Sequence, residues 1–176
     1  MVTDTRPLRR WSQRKISWNF QDPYRYLTSK QLQEVRSIVH EAFQIWAIAL
    51  MDLVEIEEAR EKADINVFFA KRNHSCYEEF DGKGGVVAHS MYPPFGVLHL
   101  DGDEEWYTRT VKAKEDSINL KLVLLHEIGH TLGLRHSCRK DSVMRKHYEK
   151  PPKTTTVQLS KYDIRAIRKL YGAMDK

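Results

Sequence analysis

Hydrophobic positions along the chain change period several times, and each change marks an element. In "KISWNF", Ile16, Trp18 and Phe20 alternate with polar residues, the period of a half-buried strand. The period then lengthens. "TSKQLQEVRSIVHEAFQIWAIA" places Leu32, Val35, Val39, Ala42, Phe43 and Trp46 at helical spacing, and Thr28 with Gln31 can form a capping box at its start. Alternation returns in "LVEIEE" and "ADINVFFA", and more weakly in "GVVAHS" and "VLHLD". A second helix is expected from about Ser117 to Thr131, through "INLKLVLLHEIGHT". After a loop with Pro151 and Pro152, a last helix begins at a Ser160 cap, buries Ile164, Ile167 and Leu170, and stops at Gly172. Strands packed by a few helices predict an α+β domain.

The length of 176 residues suits one domain with its own core. A hydrophobic content of 41% and a charged content of 30% fit a soluble globular chain. No run of about 18 apolar residues offers a membrane span. The opening "MVTDTRPLRRWSQRK" is polar and basic without an apolar centre, so it is no signal peptide, and a secreted protein would be seen here without its leader. We set residues 1–14 apart as a basic N-terminal segment and read 15–176 as the domain. The formal charge of +5 could attract polyanions, or could be the solvated surplus of "RPLRRWSQRK" and the tail lysines. No aromatic-interleaved basic stripe points to nucleic acid. Cys76 and Cys138 allow at most one bridge, and Asn73-His74-Ser75 is a glycosylation sequon that matters only in a secreted chain.

The segment "HEIGHTLGLRHS" (His126 to Ser137) changes the picture. His126 and His130 are four residues apart, so on a helix both imidazoles project from one face. Two neutral imidazoles suit zinc, and a catalytic zinc takes a third ligand and keeps one position open. Gly133 can end the helix with a positive φ and turn the chain back, bringing His136 round as that ligand. Glu127, beside the first histidine, leans over the open position, where it can take a proton from water and pass it to a leaving amine. Two histidines on an ordinary helix could be core or surface residues. The full H-E-x-x-H-x-x-G-x-x-H spacing argues for metal.

With Ser137 after the third histidine and Met144 in "SVM" matching a Met-turn, the sequence resembles the matrixins, the matrix metalloproteinases of the metzincin clan. The resemblance runs from "ISWNF" to "IRKLYG". It implies a twisted five-stranded mixed sheet with three helices, and a secreted, zymogen-derived zinc endopeptidase acting on extended peptide or protein chains. By position it assigns Leu122, Val87, Ala88 and Tyr148 to the substrate pocket, with Leu122 setting the depth of an open apolar S1′ pocket. Lys146 stands where the family has a proline in the pocket wall. Hydroxamates and tissue-inhibitor-type proteins are the inhibitors implied. A monomer is expected, without nucleic-acid or membrane contact from this segment.

The same resemblance implies a structural zinc site at His74, Cys76, His89 and His99, with Cys76 where the family has aspartate. A thiolate is a good zinc ligand. A Cys76–Cys138 disulfide is the competing outcome, and it would leave three histidines. A calcium site is implied at Asp81, Asp101 and Glu104, with the backbone carbonyls of Gly82, Gly84 and Val86. The family's other calcium sites look damaged: Asp64 matches one ligand without its partners, and Gly102 replaces an acidic ligand, so at least one calcium is expected. No cysteine-switch motif is present, which suits a mature or truncated catalytic domain. Tyr162 replaces the first of the family's paired aspartates in the last helix, removing a ligand for the freed amino terminus. Asp163 keeps the second, which braces the Met-turn. A non-catalytic binding module, or another metzincin such as an aminopeptidase-like enzyme, are the alternatives. The intact Glu127 argues against the first, and Ser137 with the second metal constellation against the other.

Overall fold

Ile16, Trp18 and Phe20 are all buried, on a strand β1 (Lys15–Gln21) that lies where the first alternation predicts it. The structure is a computed structural model and describes residues 9–74, 76, 78–147 and 157–172. In chain order β1 is followed by α1 (Ser29–Ala49), β2 (Glu55–Glu58), β3 (Ile65–Ala70), β4 (Ala88–Ser90), β5 (Val97–Asp101), β6 (Trp106–Tyr107), β7 (Ile118–Asn119), α2 (Leu120–Thr131) and α3 (Lys161–Gly172). The main sheet has five strands in the order β2-β1-β3-β5-β4. The first four are parallel and β4 runs antiparallel at one edge. This is the expected mixed five-stranded α+β architecture with three helices.

α1 starts with the expected capping box, in which the Thr28 hydroxyl accepts from the Gln31 N–H and the Gln31 side chain accepts from the Thr28 N–H. Its buried stripe of Val35, Val39, Ala42, Phe43 and Trp46 faces the sheet and α2. The Trp18 ring stacks on Phe43 with centroids 4.5 Å apart, and the Trp46 indole donates to the Leu125 carbonyl at 3.1 Å. A sandwiched helix needs no polar face. α2 accordingly buries residues all round its circumference, among them Leu120, Leu124, Leu125 and Ile128.

Period-2 geometry puts the core and the chemistry on opposite faces of β5. Leu98 and Leu100 join the core beneath the helices, while His99 and Asp101 point to the loop that precedes β4.

Two expectations need correcting. α2 begins at Leu120, not near Ser117, because Ile118 and Asn119 pair with Trp106 and Tyr107 in a small parallel sheet; Asn119 then caps the helix by accepting from the Leu122 N–H. That two-stranded sheet gave no periodic signal, since each strand is two residues long. Ile164 is exposed rather than buried, because α3 turns Asp163, Ile167 and Tyr171 inward instead. The Ser160 cap is present, its hydroxyl accepting from the Asp163 N–H.

Side chains from both ends of the chain close the C-terminal turn of α2. The Trp11 indole donates to the Thr131 carbonyl and the Tyr171 hydroxyl to the Leu132 carbonyl, both at 2.9 Å. These carbonyls would otherwise be unsatisfied at a helix end. Asp163 does similar work one layer away. Its carboxylate accepts from the Ser142 hydroxyl and from the Val143 and Ser160 N–H groups. Asp163→Ala would leave three donors without their acceptor, and should cost about 3 kcal/mol in urea unfolding. A loss under about 1 kcal/mol would show that the 142–144 turn holds its shape without this brace.

Candidate active site and metal centres

His126 and His130 lie one helical turn apart on α2, and both rings are fixed from behind. The His126 Nδ1 meets the Val143 carbonyl and the His130 Nδ1 the Leu134 carbonyl, each at 2.7 Å. A carbonyl only accepts, so both Nδ1 atoms carry the proton and both Nε2 atoms present bare lone pairs. The helix ends at Leu132 in a Schellman turn. The Gly133 N–H bonds the His130 carbonyl and the Leu134 N–H the Gly129 carbonyl, with Gly133 at φ +106°. A Cβ on Gly133 would also lie 1.9 Å from the Arg9 carbonyl oxygen. The turn brings His136 back over the helix.

The outcome is a cluster of ring nitrogens at a common point. His130 Nε2 lies 3.1 Å from His126 Nε2 and 3.2 Å from His136 Nε2. Neutral lone pairs facing one another at this distance repel. Tetrahedral ligands held about 2.05 Å from one ion would be about 3.3 Å apart, so the spacing fits zinc. Burial lowers the pKa of all three, His130 to about 4, which favours the neutral ligand form.

Beneath the cluster, Met144 is buried and packs on Gly129, where a Cβ would come within 2.3 Å of its sulfur. Asp163 holds the backbone of Val143, whose carbonyl orients His126, so the brace reaches a candidate ligand through a single residue. Beside the cluster is Glu127, its side chain buried and its pKa raised to about 7, chiefly by desolvation. A cleft of about 750 Å³ opens over these residues, lined by Val87, Ala88, Leu122, Glu127 and the three histidines. Three of the four residues assigned to the substrate pocket therefore line it; Tyr148 lies outside the described residues.

A second cluster forms on the other face of the sheet. β4 pairs with β5 so that His89 sits directly opposite His99. His74 arrives from the preceding loop with its Nδ1 against the Arg72 carbonyl at 2.8 Å. The His89 Nε2 then lies 3.3 Å from His74 Nε2 and 3.1 Å from His99 Nδ1. Cys76 joins them, and one ligand atom from each of the four falls within 4.8 Å of every other. Cys76 and Cys138 are both free thiols, so the disulfide outcome is not formed. Burial, with the charges of His89 and His74, lowers His99 to about 3.

Asp81, Asp101 and Glu104 gather at the end of β5, beside the glycine loop. Asp81 accepts from the Val86 N–H and Glu104 from the Gly84 N–H, at 3.2 and 2.6 Å. Gly82 and Gly84 both have positive φ. Asp101 is fully buried, and its Oδ2 has no hydrogen-bond partner among the described residues. Burial raises the pKa of Asp101 and of Glu104, with neighbouring carboxylates adding to it. These three do not meet as closely as the histidine clusters do. Oxygens on opposite sides of a calcium ion are about 5 Å apart, so a looser arrangement suits that ion. Asp64, the isolated match to a second calcium site, accepts from the Ser17 N–H and hydroxyl and from Gln13.

Sequence reading missed four residues at this site. Gly129 gave no local signal because its need is for close packing against Met144. Trp11 and Tyr171 act across distances of 120 and 39 residues. Ser90, whose hydroxyl meets Glu127, follows a candidate ligand in a short strand and gave no local signal, because its partner lies 37 residues along the chain.

Comparison with known proteins agrees with this arrangement. The family profile described as matrixin matches residues 10–172. The chain is 36% identical over 168 residues to a macrophage metalloelastase of Rattus norvegicus, covering 93% of this chain and 34% of that protein. It is 36% identical over 171 residues to the metalloendoproteinase 5-MMP of Arabidopsis thaliana, covering 93% of this chain and 46% of that protein. It is 33% identical over 152 residues to matrix metalloproteinase-16 of Homo sapiens, covering 81% and 24%. The chain thus spans between a quarter and a half of the length of these relatives. With the HExxHxxGxxH histidines converged over a buried methionine and a family match across nearly its whole length, the chain belongs to the matrixins.

Proposed function

We propose that this domain hydrolyses internal peptide bonds of extracellular proteins, matrix proteins among them, with His126, His130 and His136 holding a catalytic zinc and Glu127 carrying the proton. The convergence of three Nε2 atoms, two of them left bare by the carbonyls behind their rings, beside a buried carboxylate at the floor of an open cleft, carries this reading. A bound zinc supplies Lewis-acid polarisation of the scissile carbonyl and lowers the pKa of water to about 7. Glu127, poised near neutrality by burial, takes the proton from the attacking water and delivers it to the departing amine. The apolar wall of Val87, Ala88, Leu122 and Val143 receives a hydrophobic side chain of an extended substrate. No helix among the described residues is long and apolar enough to cross a membrane; relatives named matrix metalloproteinases support the reading that the substrates are matrix proteins. Hydroxamates and tissue-inhibitor-type proteins are the inhibitors to try.

His74, Cys76, His89 and His99 make a four-ligand set suited to a structural zinc, a closed site with one thiolate. Asp101, with a buried carboxylate oxygen that has no hydrogen-bond partner among the described residues, supports a calcium beside it, with Asp81, Glu104 and the Gly82, Gly84 and Val86 carbonyls as further ligands.

Glu127→Gln should keep its zinc and its fold, and lower kcat on an internally quenched peptide by at least about a hundredfold. Turnover near the parent rate would remove Glu127 from the chemistry. Millimolar calcium should raise the melting temperature of the parent domain, and Asp101→Asn should abolish most of that rise. A parental calcium response in the variant would place the ion elsewhere.

A further inference from the structure

Glu127 is held by a partner that the metal chemistry leaves unexplained. Ser90 is the last residue of β4, the edge strand of the sheet, and its backbone pairs with Leu98 of β5. Its hydroxyl lies 2.5 Å from Glu127 Oε2 and 3.2 Å from the Glu127 carbonyl oxygen. A hydroxyl has one proton, and the shorter, charge-assisted contact takes it. Among the described residues no other protein group bonds the carboxylate, so Oε1 is left for the cleft.

We infer that Ser90 is a positioning residue for proton transfer, anchoring Oε2 so that Oε1 of Glu127 faces the attacking water. The inference rests on Glu127 acting as the proton carrier. The terminal torsion of a glutamate is soft, with no sharp staggered minima to fix the carboxylate plane. Helix α2 fixes only where the Glu127 side chain starts. Its carboxylate plane is set by what touches its oxygens, and here that is a hydroxyl carried on a paired strand. Displacement of a catalytic group by about 1 Å is enough to cost a hundredfold in rate. Ser90 itself takes no proton in the reaction and touches no reacting atom. It acts through Glu127.

The test compares Ser90→Ala, Ser90→Thr and Glu127→Gln in the zinc-loaded domain, reading kcat and KM on a quenched peptide, zinc content and melting temperature. The expected result for Ser90→Ala is a fall in kcat of about tenfold, with KM within about twofold and zinc and melting temperature at parental values. Ser90→Thr keeps the hydroxyl, suits a strand position and should recover most of the rate. The inference is overturned by a Ser90→Ala kcat within twofold of the parent, by a Thr variant as slow as the Ala variant, or by a rate loss that tracks lost zinc, raised KM or a lower melting temperature. Glu127→Gln separates the two readings. If it is inactive while Ser90→Ala is normal, only the role of Ser90 fails; if it turns over like the parent, the role of Glu127 fails and this inference with it.

Discussion

Three imidazoles whose ring nitrogens converge on one point are a costly arrangement without an ion between them, and the rest of the domain keeps them there. His126 and His130 each spend their one N–H on a backbone carbonyl, which leaves their Nε2 lone pairs 3.1 Å apart with no proton between them. A cation set between the rings relieves such a contact. The supports lie on separate parts of the chain. A Schellman turn at Gly133 sets where His136 returns, and Trp11 and Tyr171 cap the last carbonyls of α2. Asp163 fixes the backbone whose carbonyl holds His126. Loosening any of these would let a ring rotate away.

The second cluster follows the same logic on a different scaffold. Antiparallel pairing of β4 with β5 makes His89 and His99 neighbours by register, and strand alternation sends them away from Leu98 and Leu100. The glycine loop packs its carboxylates against the same strand end. Ser90, one residue beyond His89, points instead towards α2 and Glu127. A three-residue strand therefore ties the two sites together: its middle residue serves one cluster and its last residue the other.

Legibility in the sequence followed the range of the interactions. The helical trio and Glu127 were readable because their geometry is local, four residues on a helix and a glycine turn. The capping box of α1 and the strand alternation of β1 and β3 were readable for the same reason. The His74, Cys76, His89 and His99 set depended on a strand register that no local pattern specifies, and came only through family resemblance. The start of α2 was misplaced because pairing of Ile118 and Asn119 with Trp106 and Tyr107 overrode a helix-favouring run. Ile164 was misread because helical spacing alone does not say which apolar face of α3 turns inward, and Tyr171 with Ile167 and Asp163 takes the core positions. Gly129, Trp11 and Ser90 were invisible because each matters through a partner far along the chain.

The central claim is that both imidazole clusters are metal sites of different character, one with open coordination and one sealed by sulfur. Zinc-edge X-ray absorption on the purified, zinc-replete domain tests it most directly. The account predicts two zinc ions per chain, a first shell dominated by imidazole nitrogen at about 2.0–2.1 Å, and a sulfur contribution near 2.3 Å equal to one thiolate for the two ions together. A single zinc per chain, or two zincs with no sulfur in the shell, would contradict it.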